Sequence, residues 1–279
     1  MPLPEEANES GSAESSTNKK HYYRLELWRD QLSDFCREFV GSDENAAAPV
    51  LIGNSVGSLT CLMAAAGPVR ARGVVLLNTA GALNNKGVVS DWRIVLALPI
   101  FLLVDLLLSI RPIARALFDR VRDPESLSNV LKAAYGDEKG GEAVDDELVR
   151  LIAAPATRPG ALDVFVDVVT SPHYGPKPWD LVPEIRARGT SLLVAWGTED
   201  KLTPVDGPVG KYFRALGEEE AGEGGVTFAL LDGHGHCPHD DPRPTLAKEH
   251  LLPWLERLPV KGVACEEEEA VAAVRGAAS

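Results

Sequence analysis

Ser55 lies in Gly53-Asn54-Ser55-Val56-Gly57, a G-x-S-x-G pattern between the apolar run Pro49-Val50-Leu51-Ile52 and the small-residue run Ser58 to Ala66. The first run reads as a buried strand and the second as a helix. Strand, tight turn, helix is the setting in which this pattern lifts a serine hydroxyl above a sheet as a nucleophile. The turn brings the helix hard against the strand, so a side chain at 53 or 57 is expected to clash. The competing reading is a Gly-rich strand-to-helix turn with no chemistry. A serine is a weak nucleophile at its own pKa, so it needs a base, and the base needs an orienting acid.

Candidates for both follow in the chain. Ser191 to Trp196 is a second buried-strand run, closed by Gly197-Thr198-Glu199-Asp200. Val226 to Leu231 is another, closed by Asp232-Gly233-His234-Gly235-His236-Cys237-Pro238-His239. A carboxylate and a histidine thus each stand just past a strand's C-terminal end, where open α/β sheets place their sites. Asp200 is the expected acid, because it leads into the turn Lys201-Leu202-Thr203-Pro204; its neighbour Glu199 could substitute. The strand Gly73 to Asn78 ends without a carboxylate. Among six histidines, His236 is the preferred base, with His234 and His239 as rivals. His234-x-His236-Cys237-x-His239 also reads as a zinc cluster, since imidazole and thiolate are zinc ligands. Every ligand would have to come from this one crowded loop, so the expectation is no metal and no organic cofactor.

Gly53-Asn54-Ser55-Val56-Gly57, Trp196-Gly197-Thr198-Glu199-Asp200 and Gly235-His236-Cys237-Pro238-His239-Asp240-Asp241 together resemble an α/β-hydrolase, whose triad runs in the order Ser, Asp or Glu, His. More narrowly, the chain resembles the plastid branch containing chlorophyll dephytylase and pheophytinase. Arg111 to Pro124, Ala143 to Val149, Pro204 to Phe213 and Leu251 to Leu255 are similar to that branch and lie outside the general fold signature. The likeness covers Tyr22 to Leu258. It implies hydrolysis of the phytyl ester of chlorophyll or pheophytin in the chloroplast, with Ser55, Asp200 and His236 as nucleophile, acid and base. The backbone N–H of Val56 would be one oxyanion donor.

The pattern departs from the family at its start. Only 54 residues precede Ser55. Residues 1–20 are polar, acidic and Ser-rich, and read as disordered. Tyr22 to Val40 reads as an amphipathic helix with Trp28, Leu32, Phe35 and Phe39 on one face. The expectation is therefore an N-terminally incomplete α/β-hydrolase sheet without its first four strands or the His-Gly loop that supplies the second oxyanion donor. Losing one such donor costs about 10²–10³ in turnover. A truncated isoform, partial gene model or fragment would explain it, and the strand at Val50 to Gly53 would carry an open edge. The expected organisation is a disordered segment 1–20, a core of 21–80 and 185–259, a helical lid 81–184, and a disordered acidic tail 260–279.

Composition narrows the partners. The chain has 279 residues, 45% hydrophobic and 25% charged, enough for one domain with a sizeable core. Its 41 acidic against 28 basic residues give −13, which argues against nucleic acid and does not favour anionic membranes. Cys36, Cys61, Cys237 and Cys265 are scattered and fit no disulfide framework. No apolar signal or transit-type targeting segment is visible at the start. Within the lid, Ile94 to Ile110 is 17 residues of nearly unbroken apolar character carrying Pro99 and Asp105. It is short for a membrane span, and reads as a helix pair or kinked helix. It either shapes a pocket for a hydrophobic ester, packs the lid's own core, or, with Trp92, gives weak membrane association. Helices are expected at Pro112 to Arg122, Pro124 to Tyr135, Asp145 to Ala153 and Gly160 to Thr170. The reading that unites these features is a serine hydrolase of carboxylic esters. A lipase or general esterase is the alternative within enzymes, and a truncated, non-catalytic binding protein the alternative outside them.

Overall fold

The computed structural model describes residues 23–40, 48–136, 138–219 and 225–258. The segments 1–20 and 260–279, with His21 and Cys265, lie outside the described residues.

Four strands form one parallel sheet: β1 Val50–Asn54, β2 Gly73–Leu77, β3 Ser191–Gly197 and β4 Val226–Leu231, in the order 1-2-3-4. The register pairs Val50 with Gly73, Gly73 with Ser191 and Leu192 with Val226. All four runs were legible as strands because each is a short, branched, apolar stretch closed by Gly, Asn or Asp. Alternate residues of the inner strands serve two cores. Val74, Leu76, Leu192, Val194 and Trp196 pack on one face with helices α1 (Leu25–Phe35), α2 (Val56–Ala66), α9 (Pro178–Ala187) and α10 (Pro208–Glu219). Val75, Leu77, Leu193, Ala195 and Leu231 pack on the other with Leu246, Trp254 and Leu258 around α11 (Leu252–Arg257). Burial on both faces explains why these strands read as continuous apolar runs. The two edge strands are the exceptions: among the described residues β1 pairs only with β2 and β4 only with β3, and Ile52 and Leu230 are exposed.

The lid comprises α3 (Trp92–Leu108), α4 (Arg111–Val121), α5 (Pro124–Ala134), the short α6 (Glu138–Gly141), α7 (Asp146–Ala153) and α8 (Ala161–Thr170). Three aspartates start these helices: Asp91, Asp123 and Asp145 accept from the backbone N–H of Arg93, Ser126 and Leu148 at 2.8–3.0 Å. Leu108, Ala114, Phe118, Leu162 and Val166 form a lid core of their own.

The structure corrects three expectations. Phe35 and Phe39 are exposed rather than core-facing; Leu25, Trp28, Leu32 and Cys36 cover the core instead. From Cys36 to Val40 the helix widens into a π-helical turn, and the Phe39 ring lies 4.9 Å from that of Phe35, which is also exposed. The lid boundary at 184/185 falls inside α9, whose Val182 and Ile185 are buried in the main core against α2. Of the two forms expected for the apolar run at 94–110, the helix pair is ruled out: one helix containing Pro99 spans it to Leu108, the only buried residue in it.

Ile185→Ala should cost about 2–5 kcal/mol through cavity formation. Ile52→Lys should shift stability by under about 1 kcal/mol while lowering aggregation from the open β1 edge. Urea unfolding and light scattering of the two variants check this.

Candidate active site

Ser55 occupies the turn between β1 and α2 with φ 54° and ψ −119°, a conformation that costs a non-glycine residue about 1–3 kcal/mol. Close packing enforces it. A Cβ on Gly53 would fall 2.4 Å from the carbonyl oxygen of Gly57, so α2 rests directly on the strand. The expected clash at Gly57 is absent: a Cβ there meets nothing within 4 Å. The crowding is one-sided, because it is Gly57's carbonyl that presses on Gly53. Backbone bonds hold the turn. Ser55 N–H donates to Leu77 O at 2.9 Å, and Ser55 O accepts from Ser58 and Ala80 N–H. Ser58 Oγ, fully buried, donates to Gly53 O at 2.8 Å. The Ser55 side chain is left half-exposed at the turn's tip, and Val56 opens α2 with one of the N–H groups that have no partner within a helix.

Asp200 is buried just after β3 and collects donors from three strand ends. Its Oδ1 accepts from Leu202 and Thr203 N–H at 2.8 and 3.0 Å. Its Oδ2 accepts from Thr203 Oγ1 at 2.6 Å, Asn78 Nδ2 at 2.5 Å and His236 Nδ1 at 2.9 Å. Burial alone pushes this carboxyl up; the hydrogen bond and charge of His236 and the bonds from Thr203 outweigh it and hold Asp200 below the usual carboxylate range. A carboxylate only accepts, so the proton of the neutral ring sits on Nδ1 and Nε2 is left as the basic atom. His236 is positioned through its backbone as well: its N–H donates to Ala134 O at 2.6 Å, and its carbonyl accepts from Asn54 Nδ2 at 2.8 Å. The residue beside Ser55 is thereby tied to the histidine loop. Among the described residues no hydrogen bond joins the Ser55 hydroxyl to His236.

The rivals sit elsewhere. Glu199 is exposed, while Asp200 points inward. His234 is buried with Nδ1 on Asp232 O at 2.9 Å and Nε2 3.8 Å from Asp241, which is itself held by Arg243. His239 is exposed. Burial, with Asp240 and Asp200 nearby, pushes the Cys237 thiol up to about 11. Among the described residues no three His, Cys, Asp or Glu side chains group to hold a metal ion. Three residues escaped the sequence reading. Asn54 and Asn78 end β1 and β2, and Thr203 follows the acid's turn. Asn78, fully buried with φ 46°, donates to Asp200 and accepts Thr203 Oγ1 on its carbonyl at 3.1 Å. The only signal for the two asparagines was an amide side chain at the end of an apolar run.

A cavity of about 230 Å³ opens beside Thr203, with Thr79, Ile94, Trp196, Leu202 and Val209 among its walls. The first residues of α3 therefore face the acid's loop.

The model of the alpha/beta hydrolase family matches residues 13–249. A chloroplastic pheophytinase of Arabidopsis thaliana is 25% identical over 242 residues, covering 85% of this chain and 46% of that protein. The chain thus spans about half the length of this curated relative. An esterase from Thermogutta terrifontis superposes with a TM-score of 0.55 at 18% identity, over 84% of this chain and 73% of that one. A serine hydrolase involved in carbazole degradation gives 0.56 at 16% identity, over 87% and 75%. Both structures share the fold.

Gly53→Ala should destabilise strongly, since its Cβ meets backbone, whereas Gly57→Ala should be neutral or gain about 0.5–1 kcal/mol from helix entropy; thermal unfolding distinguishes the two. Asp200 has a depressed folded-state pKa. Its stabilisation is fully present above the unfolded value of about 3.9 and is lost as pH falls through the folded value. The stability gap between wild type and Asp200→Asn should therefore be widest at neutral pH and narrow below pH about 4, as measured by urea unfolding across pH.

Proposed function

The chain belongs to the alpha/beta hydrolase family, and from that membership we propose that it hydrolyses carboxylic esters through Ser55, His236 and Asp200. The observation that carries the proposal is the 2.9 Å bond from His236 Nδ1 to a buried Asp200, on a loop tied to the serine turn by Asn54. In this reading Ser55 Oγ attacks the ester carbonyl and His236 Nε2 takes its proton. Asp200 keeps the ring in the right tautomer and stabilises the imidazolium. The Val56 N–H receives negative charge on the carbonyl oxygen. His236 returns the proton to the leaving alcohol, and water clears the acyl-enzyme by the same route. Serine and histidine must close to hydrogen-bond distance on substrate binding, which resting sites of this kind often require.

The finer proposal is a phytyl ester of a chlorophyll-type pigment, cleaved in the chloroplast. It rests on the likeness to the pheophytinase and on the four segments outside the fold signature. A lipase or general esterase would use the same three residues, so substrate assays rather than geometry separate them. No step calls for a metal or organic cofactor.

A fluorophosphonate probe should label the purified chain and not Ser55→Ala. Asp200→Asn should lower turnover about 10⁴-fold. Phytol release from chlorophyll or pheophytin without turnover of short aryl esters supports the pigment reading, and the reverse supports a general esterase. Folded protein that takes no label overturns the catalytic reading and leaves a hydrolase-fold binding protein.

A further inference from the structure

α3 presents an apolar surface that no other element covers among the described residues. Trp92, Val95, Leu96, Pro99, Ile100, Leu102, Leu103 and Leu106 are all exposed, several by more than half. At 100° per residue they fall within an arc of about 160°, and they run about 21 Å along the helix. No charged residue interrupts the arc. The one acidic side chain inside the helix, Asp105, lies on the opposite side and is held by the buried Lys86 at 2.7 Å. The helix's other charged residue, Arg93, lies just outside the arc and is paired with Asp91 and Asp206.

The charge around the arc is opposite to that of the chain. Residues 86–122 carry six basic side chains (Lys86, Arg93, Arg111, Arg115, Arg120, Arg122) and three acidic ones (Asp91, Asp105, Asp119). This is +3 in a chain of −13, leaving −16 for the remainder. α3 turns by 111° into α4, which carries three of the six, with Arg122 just after it. Arg111 pairs with Asp163 and Arg122 with Asp119. Arg115 and Arg120 are exposed and make no ion pair among the described residues. Among the described residues no single helix is long and apolar enough to cross a membrane.

We propose that the α3–α4 corner docks on an anionic lipid surface, α3 lying in the interface through its Trp92–Leu106 face and Arg115 and Arg120 meeting the headgroups. A broad uncharged arc with a tryptophan at its end matches an interfacial helix. A partner groove could read Trp92, Val95, Leu96 and Pro99 as anchors spaced i, i+3, i+4, i+7, but it gives no reason for the unpaired Arg115 and Arg120 beside them. A second copy of this chain across a two-fold axis would bring two basic corners together, whereas anionic lipid attracts them. This inference does not depend on the ester reading, and its test involves no turnover.

The full chain is floated with vesicles of phosphatidylcholine alone and of phosphatidylcholine doped with phosphatidylglycerol. Wild type should partition onto the doped vesicles. Leu96→Glu with Leu103→Glu should reduce partition at least tenfold. Arg115→Glu with Arg120→Glu should remove the preference for anionic vesicles, a loss of about tenfold or more, and its salt dependence. All four positions are exposed, so circular dichroism and gel filtration should match wild type. Absence of wild-type partition, or partition unchanged in the leucine double variant, overturns the proposal. So does a wild-type dimer that the leucine variant abolishes without any vesicle binding, since a second copy would then be the occupant.

Discussion

A buried carboxylate without partners costs several kcal/mol, and Asp200 avoids that cost only where three strand ends meet. Its five hydrogen bonds come from its own turn, from Asn78 at the end of β2 and from His236 beyond β4. Each donor is fixed in turn. Asn78 adopts a left-handed conformation and receives Thr203 on its carbonyl, while its own N–H donates to Ala195 in β3. A charge in a low-dielectric site strengthens every bond aimed at it, so the ends of β2, β3 and β4 are held in common rather than separately. The serine turn joins the same network from the other side, through Ser55 N–H on Leu77 and Asn54 on His236 O. Parallel strands make this possible, because all four C-terminal ends open on one edge of the sheet.

How much of this could be read in advance follows from the range of the forces involved. The strands, the lid helices and the elbow are set by neighbours in sequence, and the residues themselves carry the signal. Asp200 over Glu199 and His236 over His234 could be ranked but not resolved. What separates them is burial and partner choice, which depend on how distant segments pack. Asn54 and Asn78 act across 182 and 122 residues and left no local trace of that. A 100° wheel puts Phe35 and Phe39 on the face of Trp28 and Leu32, but only the latter two reach the core, since the wheel does not say how far along the helix the core extends. Gly57 was misjudged because a close approach has two sides, and sequence does not say which residue supplies the backbone and which must lack the side chain.

The same elbow shows why strain and function coincide at Ser55. A left-handed φ at a serine persists only where the surroundings over-determine it. Here the contact of α2 with Gly53, the bond to Leu77 and the two bonds accepted by Ser55 O leave the chain no relaxed alternative. Relaxing the turn would lower the local energy but break bonds on β2 and on the loop beginning at Ala80. The strained state is therefore the cheapest for the whole network.

The lid meets this network at two ends that behave differently. At Ala134–Gly136 it is stitched to the histidine loop: His236 N–H bonds Ala134 O, Gly136 bridges His234, and Tyr135 OH donates to Asp240 at 2.5 Å. Burial, reinforced by Asp240, pushes the Tyr135 phenol well above its usual value, so it stays a donor at any working pH. Rigid displacement of α5 would pull on the backbone of His236 itself. α3, by contrast, is anchored by the Arg93–Asp206 ion pair at its start and the Lys86–Asp105 pair near its end, and leaves its outer face bare. The exposed Arg93–Asp206 pair can rearrange at little cost, whereas the backbone bridge against the histidine loop cannot. A change in what α3 touches can therefore alter the wall of the cavity beside Thr203, which its first residues line, while His236 keeps its bond to Asp200. The cavity wall and the histidine loop are separable in this lid because they are carried by different helices.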